Sequence, residues 1–579
     1  MRKIKSVIIG LFTLGLMVGC NTNDDNPNNS SDDFSENFGS AVFRDFIGQV
    51  VDQNGNPIQS AEVKIGTTTA QTDLNGVFII NGANVHNRFA YITAKKTGYI
   101  DGSRAMVPTT GKNNVKIMLI SNAQVETIQS GVASEVTLPN GTKVNFDGSF
   151  QDANGNAYSG SVQVSMFHLE SSNENLSSLM PGMLYAKDNN GDEKVLETYG
   201  MMNVELKGDS GQKLQIANGH TAQITMAIDN VQLATAPSSI PLWHFDEVKG
   251  YWIEEGSAQK VGNNYVGTVS HFSWWNCDYP YETVTLTINV VDTNGNPVPH
   301  TQLGIGFQEN GYFFYNSTNN LGVVSGLVPA NEIFYLMLNP DFSCGVIQST
   351  TVIGPLTGDT VITVIVDLGD NSTVLSGDLL DCDNSGVTSG YVMLYNNNIA
   401  FCIPVINGHY SYNLMFCNPS FSIRGFDTST NVISQLYNGT FTDETTTIEN
   451  IVACPANCDY IFEGSYTLVV TKSGTGEVFT FPNEMIYRVG ENSYKTTTTG
   501  NFTAEYLQVS DAGFFFNVNS CQYITVPDQR LASSFGNEVS GLSSNNSIDG
   551  QIIDANSFQI TYQITFTGLR IYTAVYTRN

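Results

Sequence analysis

Gly-Gln-Val-Val-Asp-Gln-Asn-Gly-Asn-Pro-Ile, residues 48–58, is the stretch that decides the fold. An apolar run enters a polar corner, and a second apolar run leaves it. Asn-Gly tolerates positive φ, and proline fixes φ where the next strand begins. The pattern is typical of two strands joined by a tight turn.

The same phrase returns along the chain, at residues 288–298 and, in a weaker form, at 377–387. A chain of 579 residues is too long for one hydrophobic core, so the repeats indicate separate modules. The 53 Gly, 26 Tyr and 32 Phe, with 14% charged residues, favour strands and tight turns. After residue 20, no stretch sustains the apolar spacing of a helix.

We therefore predict an all-β chain, a string of small antiparallel β-sandwiches of immunoglobulin-like or prealbumin-like type. A larger β middle domain and a C-terminal antiparallel β domain complete it. The predicted boundaries are 1–19 for a signal peptide, 20–41 for an acidic tether, 42–120 for the first sandwich, 121–280 for the middle domain, 281–368 and 372–454 for the second and third sandwiches, and 459–579 for the C-terminal domain.

The N-terminus has a charged head, with Arg2, Lys3 and Lys5, followed by an apolar run at residues 7–18. That run has the length of a secretory signal and is short for a membrane-spanning helix. It ends in Met-Val-Gly-Cys, which resembles a bacterial lipoprotein lipobox, although Met17 stands where leucine is usual. The resemblance implies acylation of Cys20 and anchoring in lipid. The alternative is a plain signal peptide with an incidental cysteine.

Residues 21–36 are rich in Asn, Asp and Ser, and we expect this tether to be disordered because it has little to bury. Asp24-Asp25 resembles the surface-export signal of Bacteroidetes lipoproteins. The resemblance implies exposure on the outer face of the outer membrane, and a periplasm-facing anchor is the alternative.

The first module contains Thr-Asp-Leu-Asn-Gly-Val-Phe at residues 72–78 and a strand ending in Gly-Tyr at 91–99. With its opening turn, it resembles the carboxypeptidase regulatory-like domain, a seven-stranded β-sandwich that is an accessory and not the peptidase. Thr-Asn-Asn-Leu-Gly at 318–322 and Asn-Gly-His-Tyr-Ser-Tyr at 407–412 stand at the equivalent turn of the later modules. We expect each module to bury its own small core.

The middle region holds Trp-His-Phe-Asp at residues 243–246, Gly-Tyr-Trp at 250–252 and His-Phe-Ser-Trp-Trp-Asn at 271–276. It resembles a β-domain of cartilage-intermediate-layer-type extracellular proteins, which implies an adhesive role without catalysis. The candidate aromatic residues are Trp243, Trp252, Trp274 and Trp275. Because Trp274 and Trp275 are adjacent on a predicted strand, they face opposite sides. An outward tryptophan stacks on a sugar or packs against the next module, and packing is the favoured interpretation.

The remaining cysteines suit disulfides in an exported chain. Domain locality favours pairs among Cys382, Cys402, Cys417 and Cys454, a pair of Cys458 with Cys521, and a pair of Cys277 with Cys344. A metal role for Cys454 and Cys458 lacks a second ligand pair.

His244-x-x-Glu247 matches half of a zinc-carboxypeptidase ligand pattern, but no stretch supplies the α/β domain of that enzyme. No His-Glu-x-x-His, Gly-x-Ser-x-Gly or P-loop occurs. We therefore predict no catalytic residues, no metal site and no cofactor. Calcium at one of the Asp-x-Asn-Gly corners is the remaining alternative.

The formal net charge of −29, without Lys/Arg clusters, excludes nucleic acid as a partner. We predict a lipid-anchored outer-membrane protein that is exposed on the cell surface and binds a glycan or a partner protein without catalysis. The alternatives are a hydrolase with a site between modules, acting on glycan or peptide, and an accessory subunit of an outer-membrane uptake complex.

Overall fold

The chain folds almost entirely into β-strands, as the sequence predicted. The computed structural model describes residues 33–307, 314–339, 349–368, 372–396, 399–416, 418–430, 432–442, 444–454, 462–472, 477–490, 493–498, 513–519, 523–527, 529–530, 538–541, 550–554, 556–565 and 569–579. Within these ranges, none of the helices has the length and apolar character needed to cross a membrane.

The first module is a sandwich of two sheets. Its strands are β1 (Ala41–Asp52), β2 (Glu62–Ile65), β3 (Thr68–Gln71), β4 (Val77–His86), β5 (Ala90–Lys95), β6 (Gly102–Met106) and β7 (Lys112–Leu119). They form a three-stranded sheet, β4-β1-β7, and a four-stranded sheet, β3-β2-β5-β6. Strand β1 runs antiparallel to β4 and parallel to β7, a mixed pairing that the sequence pattern did not predict. Alternate residues such as Phe46, Val63 and Ile92 fill the space between the sheets.

The middle domain is one 13-stranded sheet with a short helix, α1 (Leu176–Leu179). Its strands are β8 (Gln124–Gln129), β9 (Ser134–Thr137), β10 (Lys143–Phe146), β11 (Phe150–Asp152), β12 (Ser161–Leu169), β13 (Tyr185–Lys187), β14 (Glu193–Gly208), β15 (Lys213–Ile216), β16 (Ala222–Ala227), β17 (Ser239–Asp246), β18 (Tyr251–Val261), β19 (Asn264–Val269) and β20 (Trp274–Tyr281). Strand β17 lies between β18 and β20, which places three tryptophan-bearing strands side by side.

The second and third modules repeat the arrangement of the first. The second contains β21 (Thr283–Asp292), β22 (Gln302–Gly306), β23 (Phe314–Ser317), β24 (Val323–Pro329), β25 (Phe334–Asn339), β26 (Ser349–Ile353) and β27 (Thr360–Val366). The third contains β28 (Ser372–Leu380), β29 (Gly390–Asn396), β30 (Ile399–Pro404), β31 (His409–Met415), β32 (Ser420–Asp427), β33 (Val432–Ile433), β34 (Tyr437–Thr440) and β35 (Glu444–Val452). Their three-stranded sheets, β24-β21-β27 and β31-β28-β35, each keep one parallel pair.

One glycine turn recurs before the same strand in all three modules, at Gly76, Gly322 and Gly408, each with positive φ. The backbone N–H of Val50 donates to the carbonyl of Gly76, and Val290 donates to Gly322, both at 2.8 Å. A Cβ at Gly76 would lie 2.4 Å from the Val50 carbonyl oxygen, so only glycine fits. The quoted turn motifs therefore mark equivalent structural positions.

The C-terminal domain is a ten-stranded sheet. Its strands are β36 (Gly464–Lys472), β37 (Val478–Arg488), β38 (Ser493–Thr496), β39 (Phe515–Asn519), β40 (Tyr523–Thr525), β41 (Gln529–Arg530), β42 (Glu538–Gly541), β43 (Gly550–Asp554), β44 (Ser557–Thr565) and β45 (Leu569–Arg578). Strand β45 pairs with both β36 and β44, and aromatic residues including Tyr466, Phe558 and Tyr576 fill the core.

The predicted disorder of residues 21–36 is wrong for residues 33–36, since Asp33–Phe38 forms a 3-10 helix. Phe34 and Phe38 are 1% and 8% exposed, and they pack against Phe89, Tyr185 and Tyr251. Phe38 stacks on Phe89 with ring centroids 4.2 Å apart. Two phenylalanines thus hold this segment against the folded body, and aromatic burial outweighs the polar composition of the segment.

Candidate functional site

The Asp-x-Asn-Gly corners are turns in which the aspartate binds its own backbone. Asp52 Oδ1 accepts the backbone N–H groups of Asn54 and Asn56, both at 2.8 Å, and Oδ2 accepts the Asn56 side-chain amide at 3.0 Å. Asp292 makes the same bonds with Asn294 and Asn296. Both carboxylate oxygens are thereby used by the turn. Calcium at such a corner stays an untested alternative.

The turn of the first module docks onto the third module. The Tyr391 hydroxyl donates to Asp73 Oδ2 at 2.5 Å and accepts from the Asn75 amide at 2.8 Å. The Tyr391 ring is fully buried and stacks on Phe426 at 4.6 Å. Burial raises the pKa of Asp73, and the bond from Tyr391 opposes that rise. The two modules therefore share a buried polar contact.

The second module docks on both of the others. The Asn319 amide donates to the Thr109 hydroxyl of the first module at 2.9 Å, and the Lys112 backbone N–H donates to Asn320 Oδ1 at 2.8 Å. The Asn413 amide of the third module donates to Asp292 Oδ2 at 3.1 Å. The modules are thus packed against one another by turn residues, whereas the sequence predicted a string.

The four tryptophans are at most 2% exposed. Trp243, Trp252 and Trp274 lie in one cluster with four first-module residues, which are Val51, Ile100, Met118 and Ile120. Trp275 lies on the opposite face, inside the core of the middle domain. The two adjacent indoles do face opposite sides, but both sides are covered. Burial of all four rings leaves none to stack on a sugar.

His244 meets two residues that the sequence did not single out as its partners, Glu255 and His271. His244 Nδ1 lies 3.0 Å and His271 Nε2 lies 3.2 Å from Glu255 Oε2. One ligating atom from each residue lies within 4.8 Å of the other two. Glu247 stands outside this cluster and is exposed. Glu247, the residue at the motif spacing, is therefore not among the three residues of this cluster.

A β-bulge brings Glu255 to the histidines. Strands β17 and β18 pair Pro241 with Ser257 and Trp243 with Glu254, so two residues of β18 oppose one residue of β17. The second bulged residue, Gly256, has φ of 85°. A bulge redirects a side chain without breaking the sheet. No spacing in the sequence signals it.

The surroundings shift the pKa values of His244 and Glu255 in the same direction, downward. Burial lowers the pKa of His244, and the neighbouring His271 adds to this effect while Glu255 opposes it. Burial alone would raise the pKa of Glu255, but a hydrogen bond from Ser270 and the two imidazoles hold that pKa below its ordinary value. At neutral pH, a neutral His244 therefore faces an ionised Glu255.

A cleft of about 730 Å³ lies between the first and third modules. Its two carboxylates, Asp73 and Asp427, already hold structural hydrogen bonds, the latter with the backbone and hydroxyl of Ser429 and the hydroxyl of Thr430. The rest of the lining is mixed, with polar residues such as Gln59. The carboxylates of the cleft are therefore committed to the fold.

One predicted disulfide set is confirmed in part, because Cys382 is bonded to Cys454. This bond joins the turn after β28 to the end of β35. Cys277 and Cys402 carry free thiols, so the disulfides predicted for them are wrong. Cys277 points into the core of the middle domain, and Cys402 packs against the cluster between the first and third modules.

The lipidation residue and four further cysteines lie outside the described residues. These are Cys20, Cys344, Cys417, Cys458 and Cys521.

No protein-family model matches the chain. The fold defines the class, a multi-domain all-β protein, and its sequence has limited similarity to cartilage intermediate layer protein 2. The human protein is 25% identical over 148 residues, which is 25% of this chain and 12% of that protein. The mouse protein is 28% identical over 137 residues, 24% of this chain and 11% of that protein. The chain thus spans a small part of the length of these relatives.

Solved structures with limited similarity to the chain include two pilins and a third protein, all with low TM-scores. The minor pilin GBS52 of Streptococcus agalactiae has a TM-score of 0.13 and 14% identity, covering 30% of this chain and 97% of its own. The Bacillus anthracis TIE protein has a TM-score of 0.15 and 10% identity, covering 68% of this chain and 73% of its own. The shaft pilin SpaA of Lactobacillus rhamnosus GG has a TM-score of 0.16 and 10% identity, covering 30% of this chain and 98% of its own. Scores of this size assign neither a shared fold nor a shared role.

Proposed function

We propose that this protein is a lipid-anchored outer-membrane protein that acts at the cell surface as a non-catalytic binding scaffold. The observation that carries the proposal is the docking of the modules through their own turn residues. Hydrogen bonds between modules use the polar groups of Tyr391, Asp73 and Asn319. A body built in this way presents fixed surfaces, which suits holding a partner.

The proposed anchor rests on the lipobox resemblance at Cys20. Phe34 and Phe38 attach the end of the tether to the junction of the first module and the middle domain. A tether held at one point sets how far the modules stand from the lipid. Acyl chains on Cys20 would hold the other end.

A partner protein suits the exposed surface better than a glycan, because every tryptophan is buried. Strand β27 is at the edge of its three-stranded sheet in the described part of the second module. Val361 and Ile365, which lie on the same face of β27, are 68% and 67% exposed. Edge strands with exposed apolar side chains recruit an extended segment of another chain.

Protease treatment of intact cells tests the location. We expect the modules to be released from intact cells while a periplasmic marker is protected, and Cys20→Ala to move the protein out of the membrane fraction. Protection of the whole chain in intact cells, or retention of the Cys20→Ala variant in membranes, would contradict the proposal.

Chemical cross-linking on intact cells tests the partner surface. We expect Ile365→Lys to reduce cross-linked species of higher mass, because a charge on the edge strand opposes docking. Val248→Lys is the matched control, since Val248 is a 90% exposed valine of the middle domain. Equal cross-linking by both variants would argue against β27 as the docking edge.

A further inference from the structure

We propose that His244, Glu255 and His271 form a binding site for a divalent transition-metal ion, with Zn²⁺ the best-fitting ion, on the middle domain. Two imidazoles and one carboxylate are a donor set that zinc accepts, with a fourth position left for water or an outside ligand. This inference is independent of the lipid anchor and of the β27 edge.

The distances are close to those of a tetrahedral site. With ligand bonds of about 2.0–2.1 Å, neighbouring ligand atoms of tetrahedral zinc lie about 3.3 Å apart. Glu255 Oε2 is 3.0 Å from His244 Nδ1 and 3.2 Å from His271 Nε2. The three ligating atoms lie within 4.8 Å of one another. Small rotations of the side chains would bring all three to one ion.

A second observation is independent of these distances. His244 Nδ1 is buried, and it has no hydrogen-bond partner among the described residues. Glu255 Oε2 lies near it but not in the alignment of a hydrogen bond. A buried polar atom without a partner is costly, and a metal ion at this point would satisfy it.

The surroundings hold the ligands in place. The Ser270 hydroxyl donates to Glu255 Oε1 at 2.9 Å, and Oε2 pairs with His271 Nε2 at 3.2 Å, a contact that the ion would replace. The Trp275 ring lies beneath both imidazoles, with its centroid 5.7 Å from that of His244 and 5.1 Å from that of His271. Trp275 Nε1 also donates to the His271 carbonyl at 3.0 Å. Such supporting contacts orient metal ligands in proteins.

The site is open on one side. The side chains of His271 and Glu255 are 34% and 39% exposed, whereas His244 is 17% exposed. An ion from solution can therefore enter, and its remaining coordination position faces solvent. A carboxylate or imidazole of another molecule could occupy that position in place of water.

Metal titration of the full chain tests the proposal. The chain is stripped with a chelator and titrated with ZnCl₂ in a calorimeter, and Co²⁺ is used as a spectroscopic probe. We expect one strong Zn²⁺ site per chain and the intense visible bands of four-coordinate Co²⁺. We expect His271→Ala and Glu255→Gln each to weaken Zn²⁺ binding at least about tenfold.

The matched control is His220→Ala. His220 and Asp147 form an exposed pair 2.6 Å apart in the same domain, and the described residues place no third metal-ligating group beside them. We expect this variant to bind Zn²⁺ like the unaltered chain, and circular dichroism to show that each variant is folded. Absence of a Zn²⁺ site, a weak six-coordinate Co²⁺ spectrum, or an equal loss in His220→Ala would overturn the proposal. Because His271 lies in a turn, its variant tests the site even if a His244 variant does not fold.

Discussion

Replacing Tyr391 with phenylalanine removes one hydroxyl from the contact between the first and third modules. The ring keeps its place, because its stacking on Phe426 does not involve the hydroxyl. The Asp73 carboxylate loses the donor on Oδ2, and the Asn75 amide loses its acceptor. The substitution therefore isolates the polar part of the contact.

The expected loss follows from these two bonds. A hydrogen bond to a charged group contributes about 1.5–3 kcal/mol, and a neutral bond contributes about 0.5–1.5 kcal/mol. Because Asn75 lies at the edge of the contact and regains water, we expect a net loss of about 2–3 kcal/mol in the free energy that holds the modules together. Each 1.4 kcal/mol is a factor of ten, so local opening should increase about 30- to 140-fold.

Hydrogen exchange of the full chain measures this opening at residues 72–78 and in β29. The matched control is Tyr410→Phe, because Tyr410 is 1% exposed and its hydroxyl has no hydrogen-bond partner in the described part of the chain. We expect this control to exchange like the unaltered protein. An increase below about threefold in Tyr391→Phe, or an equal increase in both variants, would refute the reasoning.

Three further predictions concern other parts of the fold. Burial lowers the pKa of His300 from 6.5 to about 4, so the contribution of this residue to stability should be complete above pH 7 and should decrease by about 3 kcal/mol as pH drops from 6.5 to 4. Thermal unfolding should therefore show a smaller loss of stability at low pH in His300→Gln than in the unaltered protein. Replacing both Cys382 and Cys454 with serine opens a loop of 72 residues, which should lower the free energy of unfolding of the third module by about 4 kcal/mol. Urea unfolding measures this loss, and an unchanged midpoint would contradict the prediction. Gly76 has φ of 69°, and a Cβ there would collide with the Val50 carbonyl oxygen. Gly76→Ala should therefore lower the free energy of unfolding by about 1–3 kcal/mol, measured as faster hydrogen exchange in the first module alone.

The repeated modules could be predicted because their signals are local. Asp52 binds the backbone two and four residues ahead, so its corner is visible in a stretch of five residues. Gly76 and Gly322 mark turns whose conformation excludes other side chains. The Asn-Gly and Asp-x-Asn-Gly patterns therefore identified strands, turns and equivalent positions.

The packing between modules could not be predicted, because its contacts join residues far apart in sequence. Asn75 and Tyr391 are 316 residues apart, and no sequence pattern indicates that they are in contact. Adjacent Trp274 and Trp275 predicted two opposite faces but not what would cover them. Only the fold shows that the first module covers one of those faces.

The histidine cluster could not be predicted from the sequence for a related reason. His244 belongs to β17, Glu255 to the bulge in β18, and His271 to the turn before β20, so their approach depends on strand order and on Gly256. Glu247, at the spacing of a known motif, points elsewhere. Cys277 shows the same limit of prediction from sequence. Its place in an exported chain suggested a disulfide, whereas the structure buries it in the core as a free thiol.

Tryptophan fluorescence of the full chain tests most directly whether the first module docks on the tryptophan-bearing face of the middle domain. The four tryptophans all lie in the middle domain, and three of them face the first module. Docking predicts blue-shifted emission and little quenching by iodide or acrylamide. Emission at the wavelength of tryptophan in water, with quenching close to that of the free amino acid, would contradict the account.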